Sequence, residues 1–138
     1  MNYTRIGLAF LGAAVAYFVS SFIMLGALPA MKGEFLKYPN IYRSQEEMMK
    51  VMPYNMVAIL VSIVVVSVFY AKMYPAGGSL VSGAYFGALV GIFAVCTYAV
   101  HNYALLKIGA MLTVWESIPY FVQWTIVGAA IGLIYSPS

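Results

Sequence analysis

The sequence predicts an all-α membrane protein, a four-transmembrane-helix bundle formed by a single domain of 138 residues. Composition is the first reason: 64% of the residues are hydrophobic and only 8% are charged, whereas soluble domains carry about a quarter charged residues. Four long apolar runs are the second reason, because a helix crosses the hydrocarbon with about 20 residues. Little chain remains for a water-soluble catalytic domain.

The four predicted spans cover about residues 6–31, 53–70, 80–106 and 112–135. The first three contain no Asp, Glu, Lys or Arg, and the fourth contains only Glu116. Short turns separate the last three spans, one at residues 75–78 (Pro-Ala-Gly-Gly) and the other at Gly109. Four spans place both chain termini on the same side of the membrane.

The connector between the first two spans, about residues 32–51, holds four of the seven basic residues and three of the four acidic ones. It also carries aromatic residues, including Tyr38 and Tyr42, and this mixture is typical of the membrane interface. Ser44 followed by Glu47 matches a capping box, which predicts that a helix begins at Ser44 and continues into the second span.

The basic residues favour one orientation. Five of them lie in the connector or in the turn after the third span, and two lie on the opposite side. The positive-inside rule therefore predicts that both termini lie outside the cytoplasm.

The basic residues form no cluster of the kind that binds nucleic acid. The predicted partners are membrane lipids, and other membrane protein subunits or further copies of this chain.

Small residues are spaced for helix contact, with two GxxxG stripes in the last two spans and alanines on one face of the first. Such residues let helix backbones approach closely in lipid. The predicted packing residues are Gly83, Gly87, Gly91, Gly128, Gly132, Ala9 and Ala13. Gly128 and Gly132 point away from the Glu116 face. We therefore expect the Gly128/Gly132 face, or the outer face of the first span, to dock on another polypeptide.

Polar residues at similar depth predict a ligand or proton site near the connector. His101 is the only histidine, and Glu116 is the only acidic residue outside the connector. A regular helix places His101 on the face of Gly83, and a paired Glu and His can relay a proton. The predicted site residues are His101, Glu116, Asn102, Tyr98, Tyr120, Gln123, Asn55 and Ser20.

A structural interpretation of Glu116 stays open beside the functional one. Thr113 and Glu116 have the spacing of a capping box, which would place Glu116 in the first turn of a helix. No catalytic residue and no metal site are predicted, because the sequence has none of the known catalytic or metal-binding motifs. The nine methionines are expected to pack rather than to bind metal. No motif requires a cofactor, and a bound lipid or pigment stays open.

The two halves of the chain are similar. The second and fourth spans both begin near a Pro-Tyr pair, at Pro53 and Pro119, and both end in a tyrosine. This similarity predicts two tandem helix hairpins. Chance similarity between apolar helices is the alternative.

The second half, Ser82 to Tyr135, resembles a family of small four-helix bacterial membrane proteins that is defined only as a domain of unknown function. The features that carry the resemblance are residues 83–91, the His101-Asn102-Tyr103 element, Glu116 with Tyr120, and residues 128–132. The resemblance implies a bacterial membrane protein with four helices, and we expect the inner membrane as its location. It implies no activity.

Two functions are consistent with the sequence. The first is an accessory or structural subunit of a larger membrane complex, of the respiratory, photosynthetic or oxidising kind, because the chain offers small-residue faces and few polar groups. The second is a small transporter or proton-coupled carrier that uses the Glu116/His101 cluster. An enzyme is less favoured, because one His and one Glu leave too few groups for most chemistry.

Overall fold

The computed structural model of the chain describes residues 1–27 and 29–135. The helices are α1 (Tyr3–Ala27), α2 (Pro29–Leu36), α3 (Gln45–Met73), α4 (Leu80–Ala94), α5 (Val100–Leu105) and α6 (Ala110–Ile134). A single π turn, Val95–Ala99, joins α4 to α5. Within these described residues, four helical segments are long and apolar enough to span a membrane: α1, α3, the continuous α4–α5 segment and α6. The predicted four-helix membrane bundle is confirmed.

The second span differs most from its predicted bounds, because its helix begins at Gln45 rather than near Pro53. Ser44 caps this helix: its hydroxyl accepts a hydrogen bond from the Glu47 backbone N–H at 3.3 Å. In return, the Glu47 carboxylate accepts from the Ser44 N–H at 2.9 Å. The predicted capping box is therefore confirmed, and it lengthens α3 well beyond the apolar run.

The first predicted span is described in two parts. Helix α1 is described to Ala27 and helix α2 from Pro29 to Leu36, where the sequence predicts one run to about residue 31. Leu28, inside the predicted run, lies outside the described residues. The connector in the structure is therefore residues 29–44, of which the first half is helical.

Both predicted short turns are present. In the first, Gly77 adopts a φ of 90°, which favours glycine, and its N–H donates to the Tyr74 carbonyl at 2.8 Å. Ser79 then caps α4 through the backbone N–H of Ser82 at 3.1 Å. The second turn ends at Gly109, which is the N-cap of α6.

Helix α6 lies at the centre of the bundle and contacts α1, α3 and α4. The apolar core lies toward the end that holds the termini and the α3–α4 turn. Its buried side chains are Ile6, Ala9, Ala13, Ile63, Val66, Tyr70, Ala71, Phe86, Val127, Ile131 and Tyr135. At this end the Gly78 N–H donates to the Tyr135 carbonyl at 3.4 Å, which joins the turn to the end of α6.

Helices α4 and α6 meet along a glycine seam, which we define as Gly83, Gly87, Gly128 and Gly132. A Cβ atom added to Gly87 would lie 2.9 Å from the Cα of Gly128, and one added to Gly83 would lie 2.7 Å from the Cα of Gly132. All four glycines are buried. The prediction that the Gly128/Gly132 face docks on another polypeptide is therefore wrong. That face does point away from Glu116, but α4 of the same chain covers it.

Candidate functional site

Among the described residues, Glu116 is the one acidic side chain that is buried. It lies in the second turn of α6 and is 5% exposed. The N-cap of α6 is Gly109, so the prediction that Glu116 caps the first turn is wrong. Helix α6 begins earlier than that spacing implied. The Thr113 hydroxyl donates to the Gly109 carbonyl at 3.4 Å instead of starting the helix.

The connector folds back over the start of α6 and contacts it through two tyrosine hydroxyls. Tyr42 donates to Oε1 of Glu116 at 3.1 Å, and the Tyr38 hydroxyl accepts from the Gly109 N–H at 2.8 Å. The Phe35 ring packs edge-on against the Tyr42 ring, with centroids 4.8 Å apart. The two hydrogen bonds join residues 74 and 71 positions apart, so only tertiary folding brings these residues together.

The second carboxyl oxygen of Glu116, Oε2, is buried and has no hydrogen-bond partner among the described residues. One turn further along α6, the Tyr120 ring lies edge-on to the Tyr98 ring at 5.0 Å. The ion pairs formed between described residues lie elsewhere, one at the end of α2 and one at the start of α3. Glu116 is therefore a buried carboxyl group among tyrosines.

Gln123 lies deeper on the same face of α6, and its side chain has a hydrogen-bond partner on α1. Its side-chain N–H donates to the Ser21 hydroxyl at 2.6 Å. The hydroxyls of Ser21 and Ser20 donate in turn to the Tyr17 carbonyl, at 2.9 and 2.8 Å. Ser20 and Gln123 are both buried, as expected of polar groups in a bundle. The predicted site includes Ser20 but omits Ser21, which lies about 100° further round α1 and makes the contact to Gln123.

His101 does not join this cluster. Its side chain is exposed, and within the described part of the chain neither a hydrogen bond nor an ion pair links it to Glu116. The π turn is the physical reason, because i→i+5 bonding takes in one residue more than a regular turn and rotates α5 relative to α4. The prediction that His101 shares the face of Gly83 assumed an unbroken α-helix and is wrong.

The remaining predicted residues lie in different environments. Asn55 is exposed, and its side-chain amide contacts the sulfur of Met52 at 4.0 Å. Asn102 is half-buried, and its carbonyl ends α5 by accepting from the Leu106 N–H at 2.7 Å. The roles of Tyr38 and Tyr42 at this site were not predicted from the sequence. Their presence in an aromatic connector was the only available signal, and it does not identify their partners.

The electrostatic setting keeps the connector contacts intact around neutral pH. Burial raises the pKa of the Tyr42 hydroxyl well above its ordinary value, and the Glu116 carboxyl raises this pKa further. The Tyr42 hydroxyl therefore remains a hydrogen-bond donor. Just after α2, a hydrogen bond from the ammonium of Lys37 to Glu34 at 2.7 Å raises the pKa of Lys37. Both groups therefore keep their protons.

Among the described residues, no group of three or more His, Cys, Asp or Glu side chains is placed to hold a metal ion. Comparison of the chain with family models, with curated proteins and with solved structures finds no match. The resemblance of the second half to bacterial four-helix membrane proteins therefore stays a prediction.

Proposed function

We propose that the protein is a subunit of a bacterial inner-membrane complex that packs against another integral membrane polypeptide through the start of α3. The observation that carries this proposal is a methionine stripe, which we define as Met48, Met49, Met52 and Met56. Three of these residues follow one another at intervals of four and share a helix face. Their exposed fractions are 44%, 65%, 37% and 43%.

The methionine stripe begins outside the hydrocarbon. Residues 43–50 include two basic and two acidic side chains, which are costly within a bilayer. Helix α3 has 29 residues and is about 43 Å long, against about 30 Å of hydrocarbon. Its first turns therefore extend beyond the lipid tails. From residue 45 to residue 58, every side chain except the half-buried Val51 is exposed, so the rest of the described chain leaves the stripe uncovered.

The position of the stripe indicates the kind of partner. It runs from the charged segment into the apolar part of α3 at Met56, and so crosses the boundary between headgroups and lipid tails. A partner that covers the whole stripe must therefore have an apolar surface on both sides of that boundary. A helix of another membrane protein, itself extending beyond the bilayer, has this property. Methionine is flexible and polarisable, which suits such contacts. The flanking charges sum to zero, so attraction to anionic lipid headgroups does not explain the stripe.

Two further features support a subunit over a carrier. Glu116 packs beneath Tyr42, and His101 lies apart from it, whereas the carrier alternative needs both residues in one site that water can reach. In the orientation that we propose, the connector and the methionine stripe face the cytoplasm, because five of the seven basic residues lie on that side.

Mass measurement of the gently solubilised native assembly tests the proposal. We expect the wild-type chain to purify with a second, different polypeptide. The double substitution Met48→Gln and Met52→Gln should release the second polypeptide, because glutamine has a similar length to methionine but is polar. The variant chain itself should stay inserted in the membrane. Met73→Gln is the matched control, since Met73 is 59% exposed at the other end of α3. A wild-type chain that is monomeric, or that associates only with itself, would refute the proposal.

A further inference from the structure

Glu116 is surrounded by titratable groups that bring no positive charge close to it. Oε1 accepts one hydrogen bond, from Tyr42, and Oε2 accepts none from the described residues. The titratable groups on this side of the bundle are tyrosines of the connector, of α6, of the π turn and of α1: Tyr42, Tyr38, Tyr120, Tyr98 and Tyr17. Just after α2, Lys37 is bonded to Glu34. The other cationic or titratable nitrogen groups near this end, Arg43, Lys107 and His101, are exposed.

The two protonation states of this carboxyl group differ greatly in the cost of burial. An ionised carboxylate in a low-dielectric site needs a cation or several donors, and Glu116 has a single donor. The neutral acid lacks only one hydrogen bond, which is a much smaller penalty. Oε2 is shielded from water, so no ligand larger than a proton fits against it while the connector is in place.

We propose that Glu116 is a proton-binding site and that its protonation holds the connector on α6. Release of the proton to water leaves a buried carboxylate with one donor. That carboxylate gains hydration only when Tyr42 lifts away, and the connector lifts with it. The proton is therefore bound more tightly in the docked state than in the lifted one. Docking is complete at low pH and is lost as pH rises, with one proton released per chain.

This inference is independent of the proposed subunit role. The connector contacts α6, whereas the methionine stripe lies on exposed turns of α3. A chain without a partner should still bind the proton, and a chain with a partner need not. The failure of one proposal therefore leaves the other standing.

Hydrogen exchange of the full chain in lipid nanodiscs tests the proton site. The amide probes are those of Tyr42, which donates to the Tyr38 carbonyl at 3.2 Å, and of Gly109. After correction for intrinsic exchange rates, we expect their protection to fall at least about tenfold between about pH 4 and about pH 10. The Glu116→Gln variant, whose side chain is neutral and has the same shape, should keep the protection of both amides over the whole pH range.

Two control variants separate this effect from general weakening. Glu34→Gln removes a carboxyl group of the connector itself and should retain the wild-type pH dependence. Tyr38→Phe removes the other hydroxyl contact and should lower protection by the same factor at every pH. The proposal is overturned if wild-type protection does not change with pH, or if Glu116→Gln shows the wild-type change.

Infrared spectroscopy of the wild-type chain provides a readout that does not depend on the folding of any variant. We expect the C=O stretch of a neutral carboxylic acid at neutral pH. Its loss on raising the pH should coincide with the loss of connector protection. A spectrum without that band at neutral pH, or a band that persists while protection is lost, would contradict the proton site.

Discussion

The two ends of the bundle bury their tyrosines differently. At the end with the chain termini, Tyr70 is fully buried, its hydroxyl lies 2.8 Å from that of Ser82, and its ring packs edge-on against Phe86. At the connector end, Tyr42 is half-buried and bonds Glu116, whose second oxygen has no partner in the described chain. The Tyr70 hydroxyl has a partner 12 residues away in the sequence, whereas the hydrogen bond to Glu116 comes from a residue 74 positions away. The connector end can therefore change state while the bundle stays folded.

The glycine seam supports both ends, and breaking it should have the largest effect. Gly87→Leu places a side chain where the Gly128 Cα lies, only 2.9 Å from the added Cβ. Because backbone must move, we expect the free energy of unfolding to fall by more than about 3 kcal/mol, beyond the usual cost of overpacking. Reversible unfolding in mixed micelles measures this change.

Gly7→Leu in α1 is the matched control for the seam. A Cβ atom added to Gly7 meets nothing within 4 Å, so we expect a change below about 0.5 kcal/mol. If Gly87→Leu and Gly7→Leu were equally stable, the backbone contact between α4 and α6 would not be essential to the fold.

Removal of one tyrosine hydroxyl at each end sharpens the comparison. Tyr70→Phe leaves Ser82 without its buried partner, and we expect the free energy of global unfolding to fall by about 1–2 kcal/mol. Tyr42→Phe should leave global unfolding unchanged and should speed amide exchange in the connector, because local opening precedes unfolding. Equal effects of the two variants on global unfolding would show that the connector is part of the cooperative core.

The smallest effect concerns the start of α3, which lies outside the bundle core. Ser44→Ala removes the cap, and we expect the first turn of α3 to lose about 1 kcal/mol of local stability. Amide exchange at Glu47 and Met48 reports this loss. Ser62→Ala is the control, because the Ser62 hydroxyl bonds the Ala58 carbonyl within the same helix. Exchange at Glu47 that did not rise in Ser44→Ala would argue against the capping box.

The elements that the sequence predicted correctly depend on composition or on neighbours in sequence. Four apolar runs predict four spans, Ser44 with Glu47 predicts a helix start, and Gly77 lies in a predicted turn. Helical spacing also places Glu116 and Gln123 on one face, and both are buried. Each of these inferences needs only residues within a few turns.

The parts that could not be predicted depend on what covers a helix face. Spacing shows that Gly128 and Gly132 share a face, but it does not distinguish α4 of the same chain from another polypeptide. Nor does it show that Tyr42 reaches Glu116, because 74 residues separate them. The predicted position of His101 was wrong for another reason. Val95–Ala99 has an ordinary apolar composition, which does not indicate a π turn.

A transmembrane helix with a π turn can lose one residue and remain a helix. Deletion of one residue from Val95–Ala99 would restore regular i→i+4 bonding and rotate Val100–Leu105 by about 100° relative to Leu80–Ala94. His101 would then exchange its exposed position for another face of the helix. Related chains can thus differ at this surface through a single codon deletion or insertion, a change in helix phase that no amino-acid substitution produces.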